Sequence, residues 1–291
     1  MKKILITGST GKLGLHLTES LSKNFKIFHV GKKKRKYDLT KINPLTKYLL
    51  KINPHFVINC AAITNIEVCE KKKLYSKKIN VGIVKNILDI KKKFNLNFKL
   101  IHISTDQMYD NFFQSKNTEK IKPKINNNYT RQKLTAEEIS LKINSIVLRT
   151  NFFGFTKNKK NQSFSDWLYD NAYKGSFFYL FNDIRFNPVR INTLSNVIKF
   201  ILKNNDKNIK GVFNIGCKNG ISKKDFALKF LKKFKKLDYK SVKSEIILKT
   251  KRSKNMVMNV KKFEKIFKFK LPRIESEINK EKKFYEKNYN K

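Results

Sequence analysis

A glycine-rich turn close to the start of the chain constrains the fold more than any other feature. Gly8, Gly11 and Gly14 follow one another at three-residue intervals, between the short apolar run KILIT and an amphipathic run. In such a strand, turn and helix, the backbone N–H groups of the helix N-terminus can approach a diphosphate closely, because glycine has no Cβ to hold it off. The motif therefore predicts a dinucleotide-binding unit.

The first half of the chain alternates short apolar runs with longer amphipathic runs, which is typical of βαβ units and a parallel sheet. We predict strands at residues 3–7, 26–30, 56–61, 99–104 and 145–149, and helices at 13–22, 44–51, 76–94 and 129–143. Further on we predict helices at 164–173, 194–202 and 222–234, strands near 177–181 and 212–215, and buried contacts from Phe263, Ile266, Phe267 and Phe269.

The expected fold class is α/β, with a doubly wound parallel sheet of the Rossmann type and a smaller C-terminal α/β domain for substrate. The first domain is expected to comprise residues 1–150 and about 187–215. The second is expected to comprise about 151–186 and 216–291.

A second motif, YTRQK, places Tyr129 and Lys133 four residues apart, on one face of a predicted helix. A ketone that receives hydride needs a proton on its oxygen, and a phenol can supply it when a neighbouring cation lowers the phenol pKa. Thr105 follows the fourth predicted strand, at the edge of a parallel sheet where ligands bind, and its hydroxyl could bond the carbonyl. At residues 59–62, the run NCAA puts small side chains at another strand end, where a cofactor could pass closely.

The end of the second predicted strand indicates which dinucleotide is bound. An acidic residue there would bond the adenosine ribose and favour NAD. This chain instead continues from Val30 and Gly31 into a run of basic residues that starts at Lys32. Because ammonium groups suit a 2′-phosphate, the sequence favours NADP (NADPH), with Lys32 as a candidate contact.

The net charge of +44 could indicate nucleic-acid binding. However, only seven of the 66 basic residues are arginine, the residue that base and phosphate recognition favours. The lysine excess also accompanies many Asn, Ile, Phe and Tyr residues, a composition typical of A/T-rich coding. We therefore expect no specific nucleic-acid partner.

The scattered Cys60, Cys69 and Cys217 are expected to be reduced thiols, and none of the four histidines sits at a ligand spacing on a helix. We therefore predict no structural metal. The sequence contains no run long and apolar enough to span a membrane, and its first residues lead into a strand rather than a secretory signal. The expected location is the cytoplasm.

Together these motifs resemble the extended short-chain dehydrogenase/reductases, and within them the dTDP-4-dehydrorhamnose reductases. The similar segments span nearly the whole chain: 7–14, 38–40, 54–70, 103–110, 129–137, 147–150, 187–188, 211–227 and 251–269. The resemblance implies NADPH-dependent reduction of the 4-keto group of a nucleotide-linked deoxysugar, for polysaccharide synthesis, and is compatible with a homodimer.

The resemblance also implies roles for individual residues. Tyr129 would be the proton donor, Lys133 its partner and a ribose ligand, and Thr105 the group that orients the carbonyl. The residues that would contact the cofactor are Gly8, Gly11, Lys12, Leu13, Gly14, Lys32, Asp38, Leu39, Ala61 and Ala62. Those that would contact the sugar and its diphosphate are Thr64, Gln107, Phe152 and Arg252.

Three departures from the family pattern leave the sugar and the nucleotide open. Gln107 stands where a tyrosine is usual, Phe152 where a tryptophan is usual, and Ser253 where a proline follows the arginine. An amide such as Gln107 cannot exchange protons at neutral pH, which disfavours a dehydratase. A nucleotide-sugar 4-epimerase and a non-catalytic binding subunit on the same fold stay open as alternatives.

Overall fold

The computed structural model describes residues 1–31, 38–111, 116–156, 162–204 and 208–289. The strands are β1 Lys3–Thr7, β2 Lys26–Val30, β3 Phe56–Asn59, β4 Lys99–Ile103, β5 Ser145–Thr150, β6 Phe152–Phe153, β7 Phe178–Phe181, β8 Arg185–Phe186, β9 Val189–Arg190, β10 Gly211–Ile215, β11 Ile221–Ser222 and β12 Tyr239–Val242. The helices are α1 Lys12–Leu21, α2 Ile42–Ile52, α3 Ile66–Lys71, α4 Lys73–Lys77, α5 Ile83–Lys93, α6 Asn128–Ser140, α7 Phe164–Tyr173, α8 Ile191–Lys203, α9 Lys223–Phe230, α10 Ser244–Ile247, α11 Lys261–Phe267 and α12 Ile274–Asn288.

Six strands form one sheet in the order β10-β5-β4-β3-β1-β2, and β1 to β5 pair in parallel. Each new strand lies beside its predecessor or on the other side of β1, so the sheet is wound in two directions. This order confirms the predicted fold class of a doubly wound α/β sheet. The parallel strands are apolar on both faces, as helices covering both faces require.

The chain divides into two compact units. Unit 1 contains residues 1–105, 125–149 and 195–213, and unit 2 contains 106–124, 150–194 and 214–291. These boundaries differ from the predicted ones at two places. Residues 106–124 belong to unit 2, where Asn117 pairs through its backbone with Val257 and Asn259 at 2.7 Å each. Residues 187–194 also belong to unit 2, where the β6–β9 pair ties Val189 to Phe152.

Unit 2 combines three two-stranded pairs with a core rich in aromatic side chains. Phe226 packs edge-to-face on Phe153 at 4.9 Å between ring centroids, and Phe230 packs on Tyr285 at 5.1 Å. Such edge-to-face pairs add stability beyond the apolar area they bury. The helix that starts after Ser222 ends at Phe230 rather than at 234, and a turn follows it. Ile266 is largely exposed and not buried as predicted, because α11 turns Phe263 and Phe267 to the core.

The predicted helix 76–94 is interrupted by one turn of π-helix, Lys78–Gly82. The turn contains Asn80, a buried polar residue on an otherwise apolar face. The Asn80 side chain accepts from the N–H of Ile63 at 2.7 Å and donates to Oε1 of Gln132 on α6 at 2.8 Å. Asn80 thus ties α6 to the segment that follows β3. A regular helix would present another apolar side chain at this place, and the residue inserted by the π turn puts Asn80 there instead.

Two negative findings concern the described part of the chain. No helix in the described ranges is long and apolar enough to cross a membrane. Among the same residues, no three His, Cys, Asp or Glu side chains gather in a way that could hold a metal ion.

Candidate functional site

The glycine turn of unit 1 is built around a tight backbone approach. Gly8 has a φ of 66°, in the left-handed region that favours glycine, and a Cβ there would lie 2.7 Å from the Cα of Ala61. A Cβ on Gly14 would lie 2.3 Å from the carbonyl oxygen of Gly8. Neither position has room for a side chain, so glycine at these two positions permits the close packing of β1, α1 and the end of β3.

The turn also leaves the start of α1 open to a ligand. Gly11 is the N-cap, and no described side chain caps the helix. The first N–H groups of a helix need acceptors, and its dipole favours an anion there. Lys12 is partly exposed beside this end, whereas the Leu13 side chain is buried in the core. The glycine cradle and the uncapped helix end therefore fit the diphosphate of a dinucleotide.

Of the other predicted cofactor residues, the structure describes Asp38, Leu39, Ala61 and Ala62. Asp38 is committed to its own turn, since its carboxylate accepts from the N–H and the hydroxyl of Thr40 at 2.9 and 2.8 Å. These bonds lower the pKa of Asp38. The Leu39 and Ala61 side chains belong to one apolar cluster, and Ala62 is partly buried. Lys32 lies outside the described residues.

Helix α6 carries Tyr129 and Lys133, and its start is fixed from two sides. The N-cap Asn127 accepts from the N–H and hydroxyl of Thr130 at 2.9 Å each. Glu70, near the end of α3, accepts from the N–H of Asn128 at 2.6 Å. The Tyr129 ring is buried against Ile66 and Cys69. These contacts fix the first turn of α6, where the candidate proton donor stands.

Lys133 lies one helical turn further and is buried. Its Nζ donates to the carbonyl oxygen of Ile103 at 2.6 Å, so its ammonium lies at the carboxyl end of β4, two residues before Thr105. Thr105 is also buried. The structure therefore brings the lysine of α6 to the strand end that carries the threonine, within unit 1.

Burial lowers the pKa of Lys133 to about 8, although nearby Glu137 and the thiol of Cys60 act in the opposite direction. Glu137 is itself neutralised by a buried two-pronged ion pair with Arg149, with contacts between 2.7 and 3.1 Å. The Lys133 ammonium is thus a poorly solvated charge that can lose its proton close to neutral pH. Such a perturbed lysine is typical of a functional site.

The four predicted substrate residues are divided between the two units. Thr64 is exposed in unit 1, on the segment held by Asn80. Gln107, Phe152 and Arg252 are partly buried in unit 2, where Nε2 of Gln107 donates to Sδ of Met256 at 2.9 Å.

Unit 2 also contains a half-open cavity of about 430 Å³. Aromatic rings dominate its lining, which consists of Phe164, Trp167, Phe177, Phe178, Tyr179, Leu180, Phe181, Lys223, Ile247 and Leu248. The Lys223 Nζ lies 5.2 Å from the centroid of the Phe164 ring. Burial lowers the pKa of Lys223 to about 8, the Asp106 carboxylate opposes this, and the Arg252 charge lowers it further.

Sequence reasoning missed several residues that organise these sites. Lys223 was predicted only as part of a helix start, because one lysine among so many gives no signal. Asn80 and Gln132 fall inside two predicted helices, 76–94 and 129–143, and were given no role there. Asn59 and His102 lie next to each other, and His102 lies beside Lys133. The sequence gives a clearer signal for these two, because each is a polar residue inside an apolar strand.

The geometry agrees with comparisons to known proteins. The family model described as RmlD substrate binding domain matches residues 1–285. The probable low-salt glycan biosynthesis reductase Agl14 of Haloferax volcanii is 25% identical over 196 residues, which cover 66% of this chain and 64% of that protein. The dTDP-4-dehydrorhamnose reductase of Aggregatibacter actinomycetemcomitans is 27% identical over 156 residues, 52% of each chain. These matches therefore span less than two thirds of the curated relatives.

A solved structure extends the likeness of fold to the full length. The dTDP-4-dehydrorhamnose reductase of Bacillus anthracis, determined in complex with NADP, superposes with a TM-score of 0.87 at 23% identity and covers 98% of this chain and 100% of its own. The resemblance identified in the sequence is thereby confirmed. The chain belongs to the RmlD substrate binding domain family.

Proposed function

We propose that this protein is an NADPH-dependent reductase that acts on the 4-keto group of a nucleotide-linked deoxysugar in the cytoplasm. The observation that carries the proposal is the position of Lys133. Its buried ammonium lies at the carboxyl end of β4, one helical turn from Tyr129, in the same unit as the glycine cradle. The names of the relatives support the substrate class, and the bound NADP of the Bacillus anthracis enzyme supports the cofactor.

Within this proposal, Gly8, Gly11 and Gly14 would hold the cofactor diphosphate, and Lys32 would meet its 2′-phosphate. When bound, the reduced cofactor supplies hydride for the carbonyl carbon. Tyr129 donates its phenolic proton to the carbonyl oxygen, and the Lys133 ammonium stabilises the phenolate that results. The Thr105 hydroxyl donates a hydrogen bond to the same oxygen and orients it.

The cavity of unit 2 would receive the nucleotide. A nucleobase is flat and stacks on aromatic side chains, of which Phe164, Trp167 and Tyr179 line this cavity. The neighbouring diphosphate needs cations, and Lys223 and Arg252 are close enough for their charges to interact. The cavity therefore supports a nucleoside diphosphate as the anchor of the sugar.

A screen of NADPH oxidation over dTDP-, UDP- and GDP-linked 4-keto sugars tests the proposal. We expect stoichiometric oxidation with at least one of them, a freely exchanging cofactor, and tighter binding of NADPH than of NADH that weakens with salt. Cofactor retained through purification, with interconversion of 4-epimers and no net oxidation, would instead identify an epimerase. Absence of any turnover alongside tight nucleotide-sugar binding would identify a binding subunit.

A further inference from the structure

A row of three polar residues crosses the sheet of unit 1 at one level. Thr7 on β1 pairs in register with Asn59 on β3, and Asn59 pairs with His102 on β4. On the flanking strands the residues at the same level are Val30 and Val147. All five are buried, so the three polar side chains form a chain enclosed by apolar neighbours.

The row ends on the candidate catalytic lysine. Thr7 Oγ1 lies 2.5 Å from Asn59 Oδ1, and Asn59 Nδ2 lies 3.1 Å from His102 Nδ1. The other ring nitrogen, His102 Nε2, lies 3.3 Å from the Nζ of Lys133. The chain therefore connects the residue before Gly8 in the cofactor turn with the ammonium beside Thr105.

The ring of His102 is uncharged in this setting. Burial lowers its pKa well below the usual value, and the Lys133 charge lowers it further. A neutral imidazole has one N–H donor and one acceptor nitrogen, whereas an ammonium only donates. Beside charged Lys133, Nε2 must therefore accept, Nδ1 must carry the hydrogen, and the amide oxygen of Asn59 must face the ring.

The opposite sense of hydrogen bonding suits the uncharged lysine. With the Asn59 amide nitrogen facing the ring, Nδ1 accepts and Nε2 carries a hydrogen, which the lone pair of a neutral Lys133 amine can receive. The two senses differ by a half-turn of the Asn59 amide, whose oxygen and nitrogen have nearly the same shape. The half-turn exchanges the amide oxygen and nitrogen of Asn59, and the other heavy atoms keep their places. The structure has the sense in which the amide nitrogen faces the ring and the Thr7 hydroxyl donates to the amide oxygen.

We propose that His102 is a positioning residue for Lys133, whose nitrogen it bonds in both protonation states through a reversible hydrogen-bond chain with Asn59 and Thr7. The other groups that face Lys133 are the carbonyl oxygen of Ile103, the thiol of Cys60, and Glu137 with its partner Arg149. Of these, Ile103 can only accept and Glu137 is already paired. The Cys60 thiol is only a weak donor and a weak acceptor, so within this set His102 is the group that offers a strong acceptor or a strong donor as Lys133 requires.

The first test needs neither substrate nor cofactor. In protein labelled with ¹⁵N-histidine, the NMR signals of the His102 ring are assigned as those that are missing from the His102→Gln variant. We expect the ring to stay neutral over the pH range that spans the Lys133 pKa of about 8, and to exchange its Nδ1–H form for its Nε2–H form with a midpoint near that pKa. Lys133→Met should abolish this transition and leave the ring of His55, at the far end of β3, unchanged. A positively charged His102 in this range, or a transition that survives Lys133→Met, would overturn the proposal.

The second test rests on the proposed function. His102→Phe keeps a ring but removes both nitrogens, so both protonation states of Lys133 lose a hydrogen bond. The charged state loses more, because a hydrogen bond to a charged group is stronger than one between neutral groups. We expect the alkaline limb of kcat/KM to move down by about one pH unit, and His102→Gln, which offers an acceptor and a donor, to restore most of it. An unmoved limb in His102→Phe contradicts the positioning role. A wild-type chain that reduces no keto sugar contradicts the proposed function instead, and the labelled rings still decide the role of His102.

Discussion

At the scale of single residues, the proposed chemistry depends most on the charge of Lys133. Its pKa is lowered to about 8 because the ammonium is buried, so the charged form is present below that pH and is lost above it. If the ammonium stabilises the Tyr129 phenolate, kcat/KM should fall as the pH rises through about 8. A profile that stays flat to pH 10 would show that Lys133 does not act in its charged form.

A second prediction at this scale concerns the cavity of unit 2. Lys223→Met keeps most of the side chain's bulk and removes its charge, whereas Lys224→Met removes a neighbouring charge that does not line the cavity. A charged hydrogen bond contributes roughly 1.5–3 kcal/mol, so Lys223→Met should raise the KM for the nucleotide sugar about 10- to 100-fold. Lys224→Met should leave it unchanged. Equal KM values for the two variants would remove Lys223 from the site.

At the scale of elements, the strand, turn and helix at the start of the chain leave no room for a side chain at Gly14. Gly14 and Gly82 are both within or beside helical turns, and they differ in surroundings. A Cβ on Gly14 would lie 2.3 Å from a backbone oxygen, whereas a Cβ on Gly82 would meet nothing within 4 Å. The turn can accommodate a Cβ on Gly14 only if its backbone moves.

Alanine at these two glycines should therefore have opposite effects. Gly14→Ala should weaken NADPH binding at least tenfold and lower the free energy of unfolding by about 1–3 kcal/mol, as overpacking does. Gly82→Ala should raise stability slightly, since alanine favours a helix by up to about 1 kcal/mol. Calorimetry and cofactor fluorescence measure both quantities, and normal NADPH binding by Gly14→Ala would contradict the cradle.

At the scale of the whole molecule, the charge of +44 should act only through long-range attraction. We expect a DNA duplex to bind weakly, without sequence preference, and to dissociate as salt approaches physiological strength, because released counterions drive such binding. Fluorescence anisotropy with two unrelated duplexes at several salt concentrations checks this. A complex that persists in physiological salt and discriminates between the duplexes would contradict it.

Sequence patterns predicted those parts of the fold that depend on residues close together in the chain. The alternating runs and the glycine spacing located the sheet strands of unit 1 within one or two residues, because burial on both faces leaves a continuous apolar run. The short strands of unit 2, such as β8 and β11, were missed, because two residues carry no period. The π turn at Asn80 was read as regular helix, since one inserted residue barely alters the spacing of Ile79 and Ile83.

The site was predictable only in its motifs. Gly8, Tyr129 and Lys133 stand in short patterns whose chemistry depends on local spacing. The row of Thr7, Asn59 and His102 depends on strand register, and the cavity beside Lys223 depends on packing between β7, α7 and α10. Both are set by residues far apart in the chain, and neither leaves a periodic trace in the sequence.

The proposed proton donor is tested by the turnover number of Tyr129→Phe with the keto sugar that the wild-type chain reduces. General acid catalysis typically contributes ~10²–10⁴-fold, so kcat should fall by about that factor while NADPH affinity stays nearly constant, because the buried ring is kept. Tyr75→Phe, on the exposed face of α4, is the matched control and should turn over normally. A Tyr129→Phe enzyme with near-normal kcat would show that the proton comes from elsewhere and would contradict the reductase mechanism.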